Sequence, residues 1–244
     1  MVLPWIIAAT VINSFLALVG GISLLIKKDY FEKLIFVLIS FSAGALLSGA
    51  FFHLIPEALE SIEKDTLFFI VFAGFCCFFI IERFLHWHHC HEGKCKVHPV
   101  SWLITIGDSI HNFVDGTIIT ASFLVSVPFG VLTTMLIIAH ELPQELGDFA
   151  ILVHSGVKRG KALLMNFISQ TACIVGAFLS YFLLISSDAT VFLLPFAAGG
   201  FIYISASDLI PELHKEANLK KSMASFAIFI IGVLFVLSIR LLFE

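Results

Sequence analysis

Eight runs of mostly apolar residues, each about as long as a bilayer is thick, leave this chain few folds to choose from. They can be drawn at 2–26, 33–55, 66–84, 100–124, 128–153, 162–185, 190–210 and 222–243. In hydrocarbon every backbone N–H and C=O must be satisfied within the protein, so runs of this length cross as helices. Composition agrees: 59% of the 244 residues are hydrophobic and 13% charged, and the mean hydropathy is +1.03, too apolar for a water-soluble domain. The expectation is an all-α integral membrane protein, a single transmembrane domain over 1–244 with eight transmembrane helices in a lipid bilayer. The first run has neither a basic flank nor a small-residue cleavage site and is read as a retained helix, not a signal peptide. A net charge of −4 spread along the chain points to no nucleic-acid partner. Cys76, Cys77 and Cys173 fall in apolar runs, so no disulfide framework is expected.

Charge sets the orientation. With both termini outside, Lys27, Lys28, Lys33, Arg83, Lys94, Lys96, Lys158, Arg159, Lys161, Lys215, Lys220 and Lys221 lie on the cytoplasmic side, leaving Lys64 and Arg240 outside. A repeat adds to this. Ala43-Gly44-Ala45 followed by His53-Leu54-Ile55-Pro56-Glu57 in run two resembles Ala198-Gly199-Gly200 followed by Asp208-Leu209-Ile210-Pro211-Glu212 in run seven, at a constant offset of 155. Run two goes outward and run seven inward, so the expectation is an inverted repeat relating spans 1–3 to spans 6–8, with spans 4 and 5 between. Many alternating-access carriers are built this way.

Runs four and five carry the groups that do not belong in lipid. An ionised side chain at the bilayer centre costs about 3 kcal/mol on insertion scales, so buried carboxylates there demand a partner. At about 100° per residue, His140, Glu141, Gln144, Glu145 and Asp148 share one helix face, and so do Asp108, His111, Asn112 and Asp115. His111 and His140 lie near the middle of their runs, so two polar stripes are expected to meet at the midplane. Imidazole, carboxylate and amide without thiolate suit Zn²⁺, and also Fe²⁺ or Mn²⁺. Pro143 cannot donate to the carbonyl of Ala139, which predicts a kink and a released acceptor beside these groups. Gly116 and Gly147 are expected to admit close helix neighbours.

These paired motifs resemble the fourth and fifth transmembrane helices of the ZIP (Zrt/Irt-like protein) family of divalent-metal transporters. The nearer branch carries a His-Glu-x-Pro-His-Glu-x-Gly-Asp signature. The resemblance covers essentially the whole chain. It implies uptake of zinc or a related metal into the cytoplasm through a binuclear or adjacent-site centre, with His111, Asn112, Asp115, His140, Glu141 and Gln144 at ligand positions. It also implies a homodimer. Two departures bear on metal choice: Gln144 stands where that branch has its second histidine, and Gly49 and Glu57 stand where it tends to have aspartate and histidine.

Orientation suggests a path. His53 and Glu57 would form the outer mouth. Glu145 and Asp148 continue the stripe of run five inward; Asp108, Asp208, Glu212 and His214 would serve as exit groups. Asn166, Ser169 and Gln170 form one stripe on run six that could supply an accessory ligand or donor. The cytoplasmic tract 86–98 holds His86, His88, His89, Cys90, His91, Cys95 and His98, a metal trap whose spacing matches no structural zinc finger. An intramembrane zinc hydrolase or protease is the alternative, but Gln144 replaces the second histidine of a His-Glu-x-x-His motif. No catalytic cofactor is expected, since the divalent metal is cargo. The plasma membrane is the expected location, with an organelle membrane as the second reading.

Overall fold

The computed structural model describes residues 2–22, 27–87, 97–154, 156–184 and 190–243, which are helical and contain no strand. Helix α1 (Leu3–Ser14) continues through a 3₁₀ turn, Phe15–Leu18, into Val19–Ile22. Then follow α2 (Lys28–Gly49), α3 (Lys64–Trp87), α4 (Val97–Val125), α5 (Val127–His154), α6 (Arg159–Leu184), α7 (Thr190–Tyr203) and α8 (Leu219–Phe243). Among the described residues, six segments are long and apolar enough to cross a membrane: Leu3–Gly21, Tyr30–Leu59, Lys64–Arg83, Arg159–Leu183, Val191–His214 and Leu219–Leu241. Helices α4 and α5 are not among the six, because the polar stripes of Asp108 to Asp115 and His140 to Asp148 dilute their apolar surface.

Burial sorts the helices into inner and outer ones. The spanning windows that contain α2 and α7 are each 56% buried, whereas those of α3 and α8 are 22% and 17% buried. Phe68, Phe69, Phe72 and Ile80 on α3 accordingly point away from the protein, as do Phe226, Ile231 and Leu234 on α8. Leu46, Leu54, Leu136, Ile137 and Phe201 are buried where α2, α5 and α7 come together.

Backbones touch where glycines allow it. A side chain at Gly116 would strike the Cys173 carbonyl and one at Gly176 the Phe113 carbonyl, so α4 and α6 cross with each glycine against the other helix's backbone. Without a hydrophobic force between helices in lipid, this closeness is what lets van der Waals packing hold them. Helices α2 and α8 meet the same way, Gly44 on the Phe229 carbonyl and Gly232 on that of Phe41; so do α3 and α7, Gly74 on Phe196 and Gly199 on Val71. Phe41 and Gly44 stand 155 residues before Phe196 and Gly199, and Val71 and Gly74 stand 158 before Phe229 and Gly232. The two crossings thus use corresponding residues. Gly147 differs from the expectation, since a Cβ there would meet nothing within 4 Å.

The shared Ile-Pro-Glu stretches shape the ends of α2 and α7. Each is preceded by a π-helical turn, Ala50–Leu54 and Ile204–Leu209, closed by the N–H of Ile55 on the Ala50 carbonyl and of Ile210 on that of Ser205. Short helices Ile55–Leu59 and Ile210–His214 follow. Proline lacks an N–H and its ring crowds the preceding turn, and a wider turn relieves both problems. The Phe52 carbonyl, which Pro56 cannot serve, accepts a hydrogen bond from the Arg240 guanidinium of α8. At the position 158 residues earlier, Glu82 of α3 accepts the Tyr203 hydroxyl of α7.

Candidate metal centre

Four side chains from α4 and α5 converge in the interior. His111 Nε2 lies 3.1 Å from His140 Nε2 and 3.4 Å from Glu141 Oε1, and His140 Nε2 lies 3.4 Å from Asp115 Oδ2 and 3.6 Å from Glu141 Oε1. The His111 to Asp115 separation is 3.9 Å. A tetrahedral zinc with ligands at 2.0–2.1 Å has edges of about 3.3 Å, so this quartet already has nearly the spacing an ion imposes. Asp115 Oδ2 and Glu141 Oε1 are buried, find no hydrogen-bond partner and face the histidine nitrogens. Such oxygens cost free energy unless a cation meets them. His140 Nδ1 sits 3.2 Å from the Leu136 carbonyl; donating its proton there fixes the tautomer that turns the Nε2 lone pair inward.

A second group adjoins the first. Oxygens of Asp108, Glu141 and Glu145, all buried, lie within 4.8 Å of one another, and Glu141 belongs to both groups. Asp108 Oδ1 accepts the Asn112 amide at 2.9 Å and the Gln144 amide at 3.2 Å. Asn112 and Gln144, expected as ligands, thus spend their NH₂ groups on Asp108, while Asn112 Oδ1 is buried without a hydrogen-bond partner.

Helix α6 clamps the carboxylates. Gln170 Nε2 donates to Glu141 Oε2, and Asn166 Nδ2 donates to Glu145 Oε2 at 2.7 Å and to the Glu145 carbonyl at 3.2 Å. Donors four apart on α6 meet carboxylates four apart on α5, and in both acids it is Oε1 that stays unpaired. A fixed Oε2 leaves the other oxygen pointed at the site. Ser169, the third residue of that stripe, bonds back to its own helix at the Met165 and Asn166 carbonyls, 3.2 and 2.9 Å away.

Pro143 sits inside a continuous α5. The acceptor it releases, the Ala139 carbonyl, takes the Ser42 hydroxyl of α2, one residue before His140. Nothing in the stripe pattern points to Ser42; the signal was its place three residues before Ala45 in the small-residue stretch of run two.

The remaining expected residues lie elsewhere. Asp148 is half-buried and outside both groups. His53 is buried, its Nε2 3.0 Å from Thr133 Oγ1 and its ring stacked on Phe129 at 3.9 Å. With Glu57, Glu60, Phe129 and Arg240 it lines a cavity of about 150 Å³. Asp108, expected among the exit groups, is instead part of the second cluster. Asp208, Glu212 and His214 are exposed and join neither cluster, and Glu212 pairs with Lys215 at 2.5 Å. In the tract 86–98, His86 is on the last turn of α3 and His98 on the first of α4; His88, His89, Cys90, His91 and Cys95 lie outside the described residues.

Comparison with known proteins speaks to the same helices. The sequence model of a family described as ZIP Zinc transporter matches residues 2–98 and 88–240, nearly the whole chain. The chain belongs to the ZIP zinc transporter family. The metal cation symporter ZIP8 of Rattus norvegicus is 30% identical over 292 residues, covering 85% of this chain and 62% of the relative. ZIP8 of Homo sapiens gives 30% over 290 residues with the same coverage, and ZIP14 of Xenopus tropicalis 28% over 286, covering 87% and 62%. This ZIP chain spans about three-fifths of the length of those relatives, which are metal transporters and not enzymes.

Proposed function

We propose that this chain carries divalent metal cations, Zn²⁺ first and Fe²⁺ or Mn²⁺ next, across a membrane into the cytoplasm by alternating access. The observation behind this is the pair of adjoining groups that share Glu141, one of two histidines and two carboxylates and the other of three buried carboxylates, with unpaired carboxylate oxygens in both. His111, Asp115, His140 and Glu141 would hold one ion. Asp108, Glu141 and Glu145 would hold a second or receive the first on its way, with Asn112 Oδ1 and Gln144 within the same shell. Ligands of mixed strength, without thiolate, suit an ion that must leave again.

The eight helical runs are read as eight spans with both termini outside, in one domain. The matching α2–α8 and α3–α7 crossings support an inverted repeat with α4 and α5 at its centre. In that frame the His53–Glu57 cavity is the outer mouth, Asp148 extends the site inward, and Asp208, Glu212 and His214 line the release side. The tract 86–98 would trap metal in the cytoplasm, the chain would pair as a homodimer, and the plasma membrane is its proposed location. A zinc hydrolase is disfavoured because the second histidine of its motif is Gln144, whose amide serves Asp108.

Uptake of Zn²⁺ into proteoliposomes, in competition with Fe²⁺, Mn²⁺ and Cd²⁺, tests the reading. Saturable flux with Zn²⁺ preferred is expected. Vesicles that stay empty while the protein cleaves a membrane peptide would overturn it.

A further inference from the structure

Helix α1 contributes no residue to either metal group, yet it places an amide against Gln170, the residue that holds Glu141. Asn13 is fully buried near the end of α1, and its Nδ2 donates to Gln170 Oε1 at 3.4 Å. Beside it the Ser14 hydroxyl shares its one proton between the Thr10 carbonyl at 2.9 Å and the Gln170 carbonyl at 3.1 Å, so α1 touches both the side chain and the backbone of Gln170. Gln170 in turn gives its NH₂ to Glu141 Oε2, and Glu141 Oε1 faces His111 and His140.

We infer that Asn13 is a positioning residue for the metal centre, acting through Gln170 to decide which oxygen of Glu141 meets the ion. This rests on the metal-carrier reading. An amide is directional: one end only accepts and the other only donates. Turned over, Gln170 would set its carbonyl oxygen against the Glu141 carboxylate and its NH₂ against the NH₂ of Asn13, two repulsive contacts in place of two hydrogen bonds. The two links of this chain hold in one polarity only, and Asn13 supplies the first donor while its own Oδ1 stays without a hydrogen-bond partner. With Gln170 held, Glu141 Oε2 is occupied and its rotation is stopped, so Oε1 is presented to the two histidines before an ion arrives. Pre-set ligands bind more tightly because less freedom is lost on binding. Outer partners of ligands commonly change metal affinity by about 10–100-fold.

The test compares Asn13→Leu, Gln170→Leu and the double variant in proteoliposomes, reading KM and maximal rate for Zn²⁺, with Zn²⁺ binding in detergent as a second readout. Asn13→Leu is expected to raise KM about tenfold with little change in maximal rate. Gln170→Leu should raise it at least as far, and the double variant no further than Gln170→Leu alone, because both changes break one chain. Thr10→Val, which alters a buried hydroxyl on α1 bonded to its own helix at Ile6, should leave KM unchanged. Asn13→Asp keeps the shape and so guards against a folding failure. Added negative charge alone would tighten Zn²⁺ binding, whereas reversing the chain would weaken it, and weakening is expected. A wild-type KM in Asn13→Leu, effects that multiply in the double variant, or tighter binding in Asn13→Asp would overturn the inference. Absence of flux in the wild-type protein would instead refute the carrier reading itself.

Discussion

Among the described residues, Glu141 is the acid common to both metal groups. One of its oxygens is held by Gln170 and the other faces two histidines, and both metal groups include it. Glu141→Gln keeps the shape but removes the charge, and Zn²⁺ uptake is expected to fall at least 100-fold while membrane insertion and thermal melting change little. His111→Ala and His140→Ala should likewise abolish uptake in proteoliposomes while the protein still inserts; near-normal rates in both would remove the site from the mechanism. Gln144→His puts imidazole where an amide now donates to Asp108. Competition uptake should then show Zn²⁺ gaining on Fe²⁺ and Mn²⁺, because imidazole suits zinc better than an amide does. At this scale the sequence reveals faces but not partners. Helical periodicity could say that His140, Glu141 and Gln144 look the same way, and they do. It could not separate groups that face an ion from those that hold a carboxylate, since Asn112 and Gln144 differ from the acids by what they touch on another helix. Asn13 and Ser14 were visible as a polar pair inside an apolar run, yet their target is on α6, more than 150 residues away.

Among the elements, the glycine crossings and the proline turns set how the helices sit. Gly116→Leu would drive a side chain into the Cys173 carbonyl and force α4 off α6, carrying His111 and Asp115 with it. Overpacking of this sort costs about 1–3 kcal/mol, and both a lower melting temperature and lost uptake are expected. Gly147→Ala is the contrast, because nothing stands near its Cβ position; melting and transport should both survive. Those two glycines looked alike in the sequence. Spacing cannot tell a glycine under another backbone from one beside open space. Proline at 143 was readable as a lost N–H, whereas the hydroxyl that answers it, Ser42, comes from a helix about 100 residues earlier.

For the molecule as a whole, all-helical character and six of the runs follow from apolar length among the described residues, α4 and α5 are too polar to be counted that way, and family membership follows from the paired motifs. Sidedness is the part that charge bias predicts and an experiment must measure. In a cysteine-free background, Lys64→Cys should react with an impermeant maleimide from outside intact cells, and Lys158→Cys only after permeabilisation. The reverse pattern would invert the proposed direction of flux. The proposed repeat carries a further consequence. Two halves related by an inverted repeat, if identical, would give outward-open and inward-open states of equal energy, and a bound ion would have no preferred exit. Here the corresponding positions on α8 and α3 are Arg240, held against the Phe52 carbonyl, and Glu82, held by the Tyr203 hydroxyl. If the repeat is the carrier's working symmetry, opposite charges at these matched places would give the outward-open and inward-open states unequal energies, and alternating access would lean to one side.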